Sequence, residues 1–333
     1  MSETADFDPG YWRGHDFSSA RRVYDRHVGR SYGDAIDSGV KMEDLVPESI
    51  TTNSSAPLVI LCDITGSMGV WPATIFSKLP YLELEGQEYL GKDMEIAWGA
   101  IGDAQCHDQY PFQMRQFTKG TDLKKELQEL VIEGGGGVGI RESYELAALY
   151  CARNIEMPKA INPICIIIGD EGFYDVVNKE DGKKYAFASL KGRITGKEIF
   201  EELKRKFSVY LVRKPYNICH YGDGMNSNDG MSPNDKTIYA QWEKVLGSDR
   251  IIMLPEANRV VDVIFGILAN ETDRVSYFED ELKDRQTDEQ AKTVMKSLET
   301  VHKVPAKKDP KLLKSGKSIM RKTSNGKKTK SLL

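Results

Sequence analysis

Several things are scarce in this chain of 333 residues, and each absence closes off a class of protein. No apolar run approaches the roughly 18 residues of a membrane-spanning helix, so no span is expected. The five cysteines (62, 106, 151, 165, 219) are odd in number and form no tight pairs. That excludes a disulfide framework and predicts reduced thiols, with Cys62 and Cys165 acting as small hydrophobes inside apolar runs. The five histidines are scattered over segments without motifs, and no Ser-His-acid or Cys-His arrangement can be traced. The first residues, Met-Ser-Glu-Thr-Ala-Asp-Phe-Asp, are acidic and lack the apolar core of a secretory signal. A cytoplasmic location is expected.

What is present can fold. With 40% hydrophobic and 29% charged residues, the chain can bury a sizeable core and stay in solution. The net charge of −4 hides an asymmetry: from Val301 onward eleven Lys and Arg face one acid, Asp309, so this end carries +10 and the first 300 residues −14.

Residues 1–56 read as a polar N-terminal arm, packed on the core by Tyr11, Trp12, Phe17, Tyr24 and Tyr32. From 57 to 272 strand and helix patterns alternate. Strands are expected at 58–63, 95–102, 112–117, 163–169, 209–212 and 250–254, and helices at about 72–90, 123–130, 142–154, 197–207, 236–246 and 257–270. Continuously apolar strands such as Pro163–Gly169 are covered on both faces, so the pattern predicts a doubly wound α/β fold with a mostly parallel six-stranded sheet. The turn at Tyr110-Pro111 leaves the third strand only an antiparallel hairpin, which makes it an edge. Polar excursions at 174–193 and 216–235 read as loops. Residues 273–303 read as a charged helical extension and 304–333 as a disordered basic tail.

The strand at 58–63 opens into Asp63-Ile-Thr65-Gly-Ser67, which sets three hard oxygen donors on one loop at a strand's carboxyl end, suited to Mg²⁺. The strand at 163–169 ends in Asp170. These two strands should be central neighbours between which the chain reverses direction, the place where open α/β sheets bind ligands. The glycine-rich stretch 133–139 enters the same face, and the first side-chain oxygens after it belong to Glu142 and Ser143. Glu142 could join the donors or serve only as an acid favoured by a helix start. Asp103 also ends a strand on this face, one strand further out, where a supporting role is expected. Gly134, Gly136 and Gly139 satisfy Gly-x-Gly-x-x-Gly, but the stretch follows a helix rather than a first strand, and the Walker Lys-Ser/Thr is absent. Cys106-His107-Asp108 and Cys219-His220 have no second pair with which to make a four-ligand zinc site.

With Asp63, Thr65, Ser67 and Asp170 in this strand context, the chain resembles the von Willebrand factor A domain, the fold also used by integrin I domains. That family's metal-ion-dependent adhesion site has an Asp-x-Ser-x-Ser loop, a Thr from a second loop and an Asp after the fourth strand. Thr65 would stand for the first Ser, while the second-loop Thr is replaced here by glycines. The phrases Gly102-Asp-Ala104, Glu133-Gly-Gly-Gly-Gly137 and Glu142-Ser-Tyr-Glu-Leu-Ala147 are similar to a little-characterised group of bacterial and phage A-domain proteins. The resemblance implies Mg²⁺ (or Mn²⁺) bridging to an Asp or Glu of a protein partner. It also implies an adaptor role, with an AAA+ ATPase of the MoxR type as one class of partner.

Two other readings stand beside this adaptor. The first is a metal-dependent phosphate-ester hydrolase with the ion as Lewis acid, in which Asp103, Glu142 or Glu171 would supply the missing general base. The second is a nucleic-acid-associated scaffold, because a lysine-rich end such as 304–333 can bind phosphate backbones or an acidic partner. Aromatics do not interleave those lysines, which argues against base stacking.

Overall fold

Six strands form the central sheet: β1 (Pro57–Asp63), β2 (Glu95–Ile101), β3 (Phe112–Met114), β4 (Ile164–Gly169), β5 (Ser208–Arg213) and β6 (Ile251–Met253). The computed structural model describes residues 11–12, 15–16, 41–69, 71–106, 108–131, 135–136, 139–215 and 231–302. Most of the arm, most of the loop at 216–235 and the tail from 304 lie outside these residues. The strand order is β6-β5-β4-β1-β2-β3. Neighbours are parallel throughout except β2 and β3, which pair antiparallel at the edge through Gly99↔Met114 and Ile101↔Phe112. The order sets β1, β2 and β3 on one half of the sheet and β4, β5 and β6 on the other.

The connections carry α1 (Trp71–Ser77), α2 (Leu79–Leu90), α3 (Thr121–Gln128), α4 (Tyr144–Asn154), α5 (Lys179–Ala186), α6 (Gly196–Lys206), α7 (Pro233–Leu246) and α8 (Val260–Glu271). The single helix expected at 72–90 is two, because Pro80 has no N–H to donate to the turn before it. It sits instead in the first turn of α2. The polar stretch after Tyr174 is not all loop: Asn178 caps α5 by accepting from the Asp181 N–H at 2.8 Å.

Alternate residues of β1 face opposite layers, as a strand requires. Leu58, Ile60 and Cys62 pack with Trp71, Leu82, Ile264 and Phe265 on one side. Val59 and Leu61 pack with Leu149, Phe200, Leu203 and Trp242 on the other. Burying each such apolar side chain contributes about 1.5–3 kcal/mol. Both flanking segments join these cores. Before β1, Leu45, Val46 and Ile50 are buried, and Ile50–Thr51 pairs in parallel with Ile155–Glu156. The docking side chains of this described part of the arm are aliphatic; the packing of Tyr11, Trp12, Phe17, Tyr24 and Tyr32 lies outside what the structure describes. After α8, α9 (Val275–Arg285) and α10 (Asp288–Ser297) bury Phe278, Leu282, Val294 and Leu298 in the first core. Among the described residues no helix is long and apolar enough to cross a membrane.

Candidate functional site

β1 is held by β2 on one side and β4 on the other up to its last residues, so the backbone delivering Asp63 is fixed. Beyond it the Ile64 N–H still donates to Ile101 O at 3.0 Å, and the chain then turns through a single 3₁₀ turn, Gly66–Met68. Asp63 is fully buried. Its Oδ1 accepts from the Thr65 N–H at 2.8 Å and from Thr65 Oγ1 at 2.6 Å. Thr65 Oγ1 lies 3.1 Å from Ser67 Oγ, which donates to Asp170 Oδ1 at 3.0 Å. Four side chains from two strand ends thus form one unbroken chain of oxygen contacts at the carboxyl edge of the sheet.

Two side chains close this cluster from either side. The Tyr144 hydroxyl, at the start of α4, donates to Asp63 Oδ2. Gly169 makes that reach possible, since a Cβ there would stand 2.0 Å from the Tyr144 hydroxyl oxygen. Opposite it, Lys214 Nζ lies 2.9 Å from Asp170 Oδ2 and donates to Ser67 O at 2.7 Å. The preceding residue, Arg213, is fully buried; its Nη2 donates to Asp170 O at 3.0 Å and pairs with Asp235 Oδ1 at 2.6 Å.

The glycine-rich segment lies against the Asp63–Ser67 turn: Gly66 N–H donates to Gly135 O at 2.8 Å. Gly136 has φ +114, open only to glycine, and a Cβ there would come within 2.9 Å of both Glu142 Oε1 and the Thr65 Cβ. Glu142 is therefore a near neighbour of Thr65 across a glycine. It is not part of a helix, since Arg141–Glu142 pairs in parallel with Gly172–Phe173 and α4 begins only at Tyr144. It stands just ahead of the Ser143 N-cap, still within reach of the helix N-terminus, and is 1% exposed.

Ser143 and Asp103 are engaged elsewhere. Ser143 Oγ accepts from the Ala104 N–H at 3.0 Å. Asp103 accepts from the Gln105 N–H at 2.9 Å and from the Tyr174 hydroxyl at 3.0 Å. Between the two loops sits Asp108, which accepts from the Asp103 N–H at 2.6 Å and the Gly136 N–H at 3.3 Å. Its place in Cys106-His107-Asp108 is therefore a loop anchor.

Burial, and then the neighbouring Asp170 charge, push the Asp63 carboxyl up to about 7. Burial and the same two carboxylates hold the Tyr144 phenol well above its ordinary value, so it remains a donor. Glu145, buried one residue on, is pushed up to about 8 by desolvation despite accepting from the Tyr174 N–H at 3.0 Å. Burying two carboxyls this close is costly unless donors or a cation offset it, as Tyr144 does at Asp63 and Lys214 at Asp170.

Lys214 and Arg213 belong to no motif in the sequence, and Tyr144 and Asp108 stand in sequence phrases that assign them no part in this cluster. Only their adjacency to motif residues in the fold reveals them. Among the described residues no group of three or more His, Cys, Asp or Glu is gathered to hold a metal.

No family model matches the sequence, and no curated protein sequence matches it. Among solved structures, the pilus adhesin SpaC from Lactobacillus rhamnosus GG superposes with a TM-score of 0.46 at 11% identity over 69% of this chain. Its open conformation gives 0.45 at 10% over 70%. Proximal thread matrix protein 1 from the mussel byssus gives 0.40 at 12% over 67%. This chain spans 32% and 31% of the two SpaC structures and 49% of the mussel protein.

Proposed function

We propose that the chain is a divalent-cation-dependent protein-binding module of the A-domain kind. In this reading the sheet is doubly wound, and Asp63, Thr65, Ser67 and Asp170 hold Mg²⁺ (or Mn²⁺) where the winding reverses. The observation that carries the reading is the chain of oxygen contacts between the ends of β1 and β4. Neighbouring ligands of an octahedral ion with bonds of about 2.1 Å stand about 3.0 Å apart. The Thr65–Ser67 and Ser67–Asp170 oxygen separations, 3.1 and 3.0 Å, match that spacing, while Asp63 Oδ1 and Thr65 Oγ1, at 2.6 Å, would have to move apart. Two carboxylates and two hydroxyls make a hard donor set too small to satisfy the ion by itself.

Bound there, the ion would offer an electrophilic position for a carboxylate. This chain's own residues do the rest. The β1 backbone and the Tyr144 hydroxyl fix Asp63, while Gly136 lets Glu142 stand close enough to add negative potential. A cleft of about 450 Å³ begins at Phe173, three residues past Asp170, and carries Arg141, Lys197 and Lys244 with a single acid, Asp175. That balance favours an acidic partner surface; an AAA+ ATPase as the partner class follows from the resemblance alone.

Binding of Mn²⁺ to the full chain, followed by electron paramagnetic resonance, tests the reading. Asp63→Ala should weaken it by more than the about 10–100-fold that losing a supporting contact costs. Partner proteins recovered with Mg²⁺ should be lost with EDTA and lost in the variant. Recovery indifferent to both would overturn the proposal. Turnover of a generic phosphodiester with Mg²⁺, abolished by Asp170→Ala, would establish the hydrolase in its place.

A further inference from the structure

The donor cluster already has a cation beside it, supplied by the chain. Lys214 follows β5 directly, and its backbone is tied to the sheet by its N–H donating to Gly169 O at 2.9 Å. From that fixed root the side chain turns over the site, its Nζ bridging Ser67 O at 2.7 Å and Asp170 Oδ2 at 2.9 Å. The two atoms it joins belong to the two loops whose side chains, Ser67 and Asp170, are proposed to hold the metal. The side chain is 18% exposed, while that of Asp170 is 0% exposed. An ammonium with four rotatable bonds behind it can swing to solvent without moving the strand; Asp170 cannot.

We propose that Lys214 is a tethered counter-cation that competes with the divalent ion for this site and so sets its metal affinity. The inference rests on the metal reading above. With Lys214 in place, a positive charge already faces Asp170 before any ion arrives, and an arriving ion meets a like charge. The metal-free chain is thereby kept from holding two bare carboxylates side by side. A partner's carboxylate that drew Lys214 away from Asp170 would raise metal affinity, and by linkage the metal would raise partner affinity equally.

The test is Mn²⁺ binding by the full-length chain and two variants, measured by isothermal titration calorimetry without partner. Lys214→Gln keeps a donor for Ser67 O and removes the charge, whereas Lys214→Arg keeps the charge. Lys214→Gln should bind Mn²⁺ at least about tenfold more tightly than the unaltered chain, and Lys214→Arg within about threefold of it. Thermal melting supplies a second readout. In EDTA, Lys214→Gln should melt below the unaltered chain, and in saturating Mn²⁺ it should gain more than the unaltered chain does. Equal affinity in all three proteins would overturn the role of Lys214 and leave the metal site standing. Binding in none of the three, with the folded melt intact, would overturn the metal reading and this inference with it.

Discussion

Glu145 shows how far burial can outweigh a favourable position. It lies in the first turn of α4, where a negative charge is usually stabilised, yet it is 3% exposed and pushed up to about 8. The folded chain then keeps a proton that the unfolded chain releases near 4.5, so between about pH 4.5 and 8 the folded state binds the extra proton. Stability from this group is complete below that window and drains away as pH rises through it. Glu145→Gln, which keeps an acceptor for the Tyr174 N–H, should flatten the decline and be the more stable protein at pH 9. Urea unfolding at a series of pH values in chelator measures this, and parallel profiles for the two proteins would refute it. At this scale the sequence singles out residues whose chemistry sits in a motif. Asp63, Thr65, Ser67 and Asp170 could be named because their spacing and the flanking apolar runs are local properties of the chain. Tyr144 and Lys214 could not, since a Tyr opening a helix and a Lys ending a strand are ordinary until another strand end is brought beside them.

Elements are fixed to one another at this face by few but costly contacts. Arg213, the last residue of β5, is buried against Asp235 in the first turn of α7, and also holds the Asp170 carbonyl. Removing one member of a buried pair strands the other charge, a loss of about 3–5 kcal/mol. Asp235→Ala should cost that much in denaturant unfolding, and the double change Arg213→Met with Asp235→Leu should recover most of it. A loss below about 1 kcal/mol for the single variant would show the pair to be solvated. The six strands were legible because each is an apolar run bounded by turns, and the antiparallel edge because its connection is short. The two-residue pairings Ile50–Thr51 with Ile155–Glu156, and Arg141–Glu142 with Gly172–Phe173, were not. Two residues carry no period, and these pairs exist only because the sheet brings their segments together. That is why Glu142 reads as a helix start in sequence and as a strand residue in the fold.

On the scale of the whole molecule, the core of the stretch between 57 and 272 is extended by residues that follow it. Leu298 is fully buried and sits against Gly266 of α8, where a Cβ would meet it at 2.1 Å; Phe278 and Val294 are equally buried. A chain ending at 272 would expose this apolar face and should be insoluble or melt far below one ending at 303. Equal melting temperatures for the two would show α9 and α10 to be dispensable. The charged spacing of 273–303 hid this, because it describes the solvent side of helices whose other side is core. The backbone bonds between the site loops have a mechanical consequence. Gly66 is joined to Gly135, Ser143 to Gly102, Gly172 to Ile140 and Lys214 to Gly169. The first three bonds join described loop segments to one another, and the fourth ties Lys214 to the end of β4. In the proposed function, a partner gripped or released at this face would have to move these joined segments together rather than one at a time.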